Sequence, residues 1–164
     1  MKAVLISIQP KWCELIASGK KTVEVRKTGP ELIVPFKSYI YQTKKRWTYD
    51  IYSRIANSQQ KVIGEFVCNK VEQGHILWVK EHPEYYDKVD EKTQLTYRQM
   101  FDYLGDEGIG WFWHISNLVI YDEPKELSEF SKPYGTIRKA FESQFITRPP
   151  QSWCFVEELV GDNK

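Results

Sequence analysis

The sequence predicts an α+β domain: a small, mostly antiparallel β-barrel with helices packed on its outside. Three observations point there. Five or six short segments have strand composition or two-residue alternation, and two or three others have helical spacing. The two kinds never alternate strictly, which argues against a doubly wound parallel sheet and for a closed antiparallel one. At 164 residues the chain fits one domain, residues 1–159, that buries a core without disulfide staples.

Ala3 to Ile8 is a β-branched and apolar run and forms the first strand. Pro10 suits the first turn of a helix, where a missing N–H does no harm. Trp12, Leu15 and Ile16 then recur at helical spacing until Ser18-Gly19 supplies a stop, with glycine just past the helix end. From Thr22 to Arg26 the period becomes two, and Thr28-Gly29-Pro30 ends the strand. Further strands are expected at Lys37–Gln42, at Lys61–Val71 and over Gly108–Tyr121, with Gly64 marking a bulge or a close backbone approach. Thr96 caps a helix running to Leu104, and a short helical turn is expected over Pro124–Phe130. Trp153–Leu159 closes the sheet. Residues 43–60, 74–94 and 131–150 read as insertions, the second as a polar surface segment, and 160–164 as a frayed tail.

Composition narrows the function. The chain is 41% hydrophobic and 27% charged, the balance of a soluble globular protein. A net charge of +1 gives no global basic field, so any nucleic-acid contact is local. Aromatic residues make up 15% of the chain, which serves either a thick core or a stacking surface. Cys13, Cys68 and Cys154 are too far apart for a metal knuckle and read as buried thiols in a reducing cytoplasm. His75, His82 and His114 show no metal-binding spacing, and no apolar run approaches the roughly 20 residues of a membrane span. Neither metal nor cofactor is expected. GDEGIG at 105–110 lacks the following helix that phosphate cradling needs.

The candidate site is GKKTVEVR, residues 19–26. Thr22, Glu24 and Arg26 share one strand face, Val23 and Val25 the other, and Lys21 sits at the helix–strand junction. Glu24 and Arg26 are spaced to pair, which holds the guanidinium fork in one orientation. The same pattern also describes a solvated strand face with an incidental ion pair. A second candidate is the basic and aromatic run Lys44, Lys45, Arg46 and Trp47, with Tyr49 close behind, which suits single-stranded nucleic acid or, equally, a solvated loop with one anchoring ring. Lys132, Lys139 and Arg148 are basic residues available to extend it.

Ser7 to Arg26, SIQPKWCELIASGKKTVEVR, closely resembles the signature of the ASCH domain family, with its GxKxxExR motif filled by Gly19, Lys21, Glu24 and Arg26. KVIGEFVCNKV resembles the family's next core strand and WFWHISNLVIYDEPKEL its aromatic strand. The resemblance implies a PUA-like barrel with a cleft between barrel and helix lined by the motif residues, binding RNA or a nucleotide, in a protein of phage or prophage association. Trp12 of the helix is the nearby ring expected to stack on such a ligand. Some family members are amidohydrolases on N4-acylated cytidines and some are reported ribonucleases; in either case Lys21 is the catalytic position carried over. This chain departs from the amidohydrolases where Glu24 replaces a threonine, and their remote catalytic glutamate has no matching position here, which leaves Glu65, Glu81 and Glu84 all open. Three functions follow: a binding module for RNA or nucleotide, a hydrolase using Lys21, and a protein-interaction module.

Overall fold

A computed structural model of the chain describes residues 1–44, 60–134 and 144–159. Its strands are β1 (Lys2–Ile8), β2 (Val23–Arg26), β3 (Phe36–Gln42), β4 (Val62–His75), β5 (Ile109–Lys125) and β6 (Trp153–Glu157). Its α-helices are α1 (Pro10–Ala17), α2 (Trp78–Glu81) and α3 (Tyr97–Leu104), with 3₁₀ turns at Pro83–Tyr85 and Leu127–Glu129. The hydrogen-bonded order of the strands is β2-β5-β4-β3-β1-β6. The α+β class is as expected, but this order has two ends, so the six strands form a mixed sheet and not a closed barrel. The departure lies in β1 and β3, which pair in parallel, Leu5 opposite Tyr39 and Ile6 opposite Ile40. A parallel pair needs a long crossover, here everything from Gln9 to Pro35, and local alternation carries no trace of it. Among the described residues no helix is long and apolar enough to cross a membrane.

The chain divides into two compact units: Met1–Cys13, Phe36–Phe66 and Leu118–Lys164 in the first, Glu14–Pro35 and Val67–Asn117 in the second. In the first unit β1 lies between β3 and β6, and Ala3 to Ile8 are all buried, which is why this strand reads as a continuous apolar run. Its core gathers Ala3, Leu5, Tyr39, Tyr41, Val62, Phe130, Ile146 and Val156, with the Tyr39 and Phe130 rings edge to face at 4.9 Å. Gly64 of β4 lies where a Cβ would strike the Val119 carbonyl oxygen of β5, so the two backbones approach closely there. Replacing Gly64 by alanine forces the strands apart, and we expect a loss of about 1–3 kcal/mol, read as a lower urea midpoint. An unchanged midpoint contradicts the close approach.

The first unit also holds a polar cluster. Lys37 Nζ contacts Glu65 Oε1 at 2.9 Å and Glu158 Oε1 at 3.5 Å, and the Tyr121 hydroxyl donates to Glu65 Oε2. Burial pushes the Tyr121 phenol far above its ordinary range, and the hydrogen-bonded Glu65 carboxylate pushes the same way. Burial also raises Tyr39, whose oxygen accepts from the Leu159 amide at 2.8 Å. A phenol held protonated in the folded state contributes stability that is complete below its unfolded value of about 10 and is lost as pH rises through the folded value. Absorbance at 295 nm is therefore expected to show a fraction of tyrosines ionising only when the chain unfolds in alkali. Titration of every tyrosine at an ordinary midpoint while the fold persists contradicts this.

The core of the second unit is Val25, Ile76, Met100 and Leu104, flanked by Leu95, Tyr97, Phe101 and Phe112. Helix α3 turns this face inward, starting at Thr96, whose hydroxyl accepts from the Gln99 amide while the Gln99 side chain accepts from the Thr96 amide.

Candidate functional site

The site forms where α1 ends. Gly19 takes φ +73°, and the Lys21 amide reaches back to the Leu15 carbonyl at 2.9 Å, so the chain reverses at once into β2. Antiparallel pairing with β5 then fixes the register: Val23 opposite His114, Glu24 opposite Trp113, Val25 opposite Phe112, Arg26 opposite Trp111. Residues directly opposite share a sheet face, so Val25 and Phe112 join the core while Glu24 and Arg26 lie on the face of Trp113 and Trp111. Trp113 is fully buried.

That face is not solvated. Lys21, Glu24 and Arg26 are 2%, 6% and 7% exposed, whereas Thr22, Lys20 and Lys27 are exposed. The three charges converge on one carboxylate: Lys21 Nζ lies 3.2 Å from Glu24 Oε2 and Arg26 Nη2 lies 3.0 Å from Glu24 Oε1. Each carboxylate oxygen thus holds one cation, and the guanidinium is oriented by a charge-assisted bond. The Lys21 ammonium also donates to the Val23 carbonyl at 2.9 Å and to the Thr93 carbonyl at 2.7 Å. Lys21 is thereby tied both to the Glu24 carboxylate and to two backbone carbonyls, one of them from a distant segment.

Thr93 comes from the segment read as a polar surface insertion, which the structure makes part of the site. The neighbouring Lys92 carbonyl accepts from the Thr22 and Val23 amides at 2.9 and 3.0 Å, so this segment also fixes the start of β2. Asp90 and Thr93, an aspartate three residues before a threonine, are the sequence signal that a tight turn stands there. Carbonyl groups carry no sequence signature, so their aim toward Lys21 leaves no mark.

The other candidates fall as follows. Trp12 belongs to the first unit, half-buried, with the Lys11 ammonium 4.6 Å from its ring. Lys44 is exposed just after β3, while Lys45, Arg46, Trp47, Tyr49 and Lys139 lie outside the described residues. Lys132 is half-buried and Arg148 exposed. Glu65 sits in the Lys37 cluster of the first unit, and Glu81 and Glu84 are exposed in the second. His82 pairs with Glu84 at 3.1 Å, and His114 Nε2 lies 2.6 Å from Glu72, whose other oxygen holds Lys70 at 2.8 Å. No group of three metal-ligating side chains occurs among the described residues. Burial pushes the thiols of Cys68 and Cys154 up to about 11, so neither is prepared as a thiolate nucleophile.

The family model of the ASCH domain matches residues 6–145. Among solved structures the chain is similar to the ASCH protein from Zymomonas mobilis, at 23% identity over 95% of this chain and 88% of that chain, with a TM-score of 0.61. A tyrosine-to-phenylalanine variant of that protein aligns at 22% identity over 96% and 92% of the two chains, with a TM-score of 0.63. A search of curated proteins finds no match.

Proposed function

Because this chain belongs to the ASCH domain family and has its PUA-like fold, we propose that it binds RNA or a nucleotide through the Lys21–Glu24–Arg26 cluster. One observation carries the reading: two cations and a carboxylate, all nearly buried, are assembled at the junction of α1 and β2 and tied to the backbone there. Burying charge is expensive, so a desolvated charge cluster that the fold assembles at one junction is a candidate functional site. With two positive groups against one negative group, the cluster keeps one net positive charge in a low-dielectric setting, where it attracts phosphate strongly.

The roles divide by geometry. Lys21 supplies charge and anchors the cluster, because its protons already face protein acceptors. Glu24 orients Arg26, whose five-donor fork suits a phosphate or a base edge. Exposed Lys20 and Thr22 within the motif, and Lys27 just after it, supply further phosphate contacts. Tyr103, 40% exposed with the Lys27 ammonium 5.4 Å from its ring, offers a stacking surface. The cytoplasm, with its RNA and reduced thiols, is the compartment this reading fits.

The test is a titration of the purified protein with short single-stranded RNA and with mononucleotides at several salt concentrations, run beside incubation with N4-acetylcytidine. Saturable binding whose logarithm falls linearly with that of the salt concentration supports the reading. Folded protein that binds neither ligand, or that releases cytidine at a sustained rate, overturns it, the second in favour of a hydrolase.

A further inference from the structure

We infer that Asp90 is a positioning residue: its carboxylate shapes the turn at residues 90–95 that holds Lys21 in the charged cluster. The inference rests on the binding role proposed for that cluster and names what keeps it assembled.

Asp90 Oδ1 accepts from the Thr93 amide at 2.8 Å and from the Lys92 amide at 3.1 Å. Its own amide donates to the Leu95 carbonyl at 2.9 Å, and its carbonyl accepts from the Gln94 amide at 2.8 Å. The loop is therefore wound around one aspartate. Thr93, 3% exposed, locks the crest, its hydroxyl oxygen accepting from the Leu95 amide at 3.3 Å. Gln94 closes the turn at φ +57°, a left-handed conformation uncommon for a residue with a side chain. The feet of the loop are joined by the bridge between Val89 and Thr96, and Thr96 is also the cap of α3.

This rigid crest delivers two carbonyls in one direction. That of Thr93 receives the Lys21 ammonium, and that of Lys92 receives the first amides of the β2 segment. A buried ammonium needs acceptors for its protons, and the Thr93 carbonyl at 2.7 Å stands beside the Val23 carbonyl and Glu24 among those that Lys21 meets. Without the Asp90 carboxylate, the Lys92 and Thr93 amides lose their acceptor, the crest relaxes, and the Thr93 carbonyl leaves Lys21.

The experiment follows the Lys21 ammonium directly, by the NMR signal of its Nζ protons in isotope-labelled protein, alongside RNA affinity. In the wild type these protons are expected to exchange slowly. Asp90→Ala is expected to speed their exchange and to weaken RNA binding about tenfold, the value of one charge-assisted hydrogen bond. Asp90→Asn, which keeps the side-chain oxygen, is expected to restore both. An unchanged Lys21 signal in Asp90→Ala overturns the inference whatever the RNA affinity does. A changed signal in a protein whose wild type binds no RNA supports the positioning and sinks the binding reading instead. Should Asp90→Ala melt below the assay temperature, Asp90→Glu, which displaces the acceptor by one methylene, takes its place under the same criteria.

Discussion

Replacing Glu24 by alanine is expected to lower stability by about 3–5 kcal/mol, the usual consequence of removing one partner from a buried ion pair. The reason is the position of this carboxylate between Lys21 and Arg26, with one oxygen committed to each. Without it, two nearly buried cations lose the carboxylate they share. The midpoint of urea unfolding measures the loss. Glu24→Gln separates charge from shape, since the amide fills the same volume and keeps an acceptor for one cation. It is expected to fall between wild type and alanine. A change within about 1 kcal/mol for Glu24→Ala, the range of an exposed pair, contradicts the burial described here.

Lys21 should show the second-largest effect, and by a different route. Lys21→Met keeps most of the buried stem and removes only the ammonium. Glu24 retains Arg26, but the Val23 and Thr93 carbonyls lose their donor and one Glu24 oxygen is left in the interior. An unsatisfied buried acceptor costs at least about 1 kcal/mol, so the three together are expected to cost about 3 kcal/mol. Lys21→Ala adds a cavity and should be worse by about 1–2 kcal/mol. Equal stability of Lys21→Met and wild type would show that the ammonium contributes nothing net. Both results bear on function, because loss of RNA binding in either variant has meaning only below its unfolding transition.

Much of the site was legible locally. Ser18-Gly19 announces the helix end, the alternation after it announces β2, and Glu24–Arg26 pairing follows from side chains two apart on one face. Thr96 announces α3, and Gly64 announces a close backbone approach. These signals reside in a few adjacent residues. What escaped is long-range. The parallel pairing of β1 with β3 joins residues far apart in the chain. β4 runs on to His75 and β5 through Pro124 because each has a neighbour to pair with, not because their sequences demand such length. The burial of Glu24 and Arg26 depends on which residues oppose them, here Trp113 and Trp111. The supporting turn at 90–95 acts through carbonyls that any residue possesses, so polar composition pointed only to the surface.

The central claim, that a buried charge cluster presents Arg26 to an RNA or nucleotide ligand, is tested most directly by Arg26→Lys. Lysine keeps the positive charge beside Glu24 but loses the planar fork. RNA affinity measured at fixed salt, with the melting temperature of each protein recorded alongside, is predicted to fall about tenfold or more while the fold survives at the assay temperature. Identical affinity in the two folded proteins would contradict the claim.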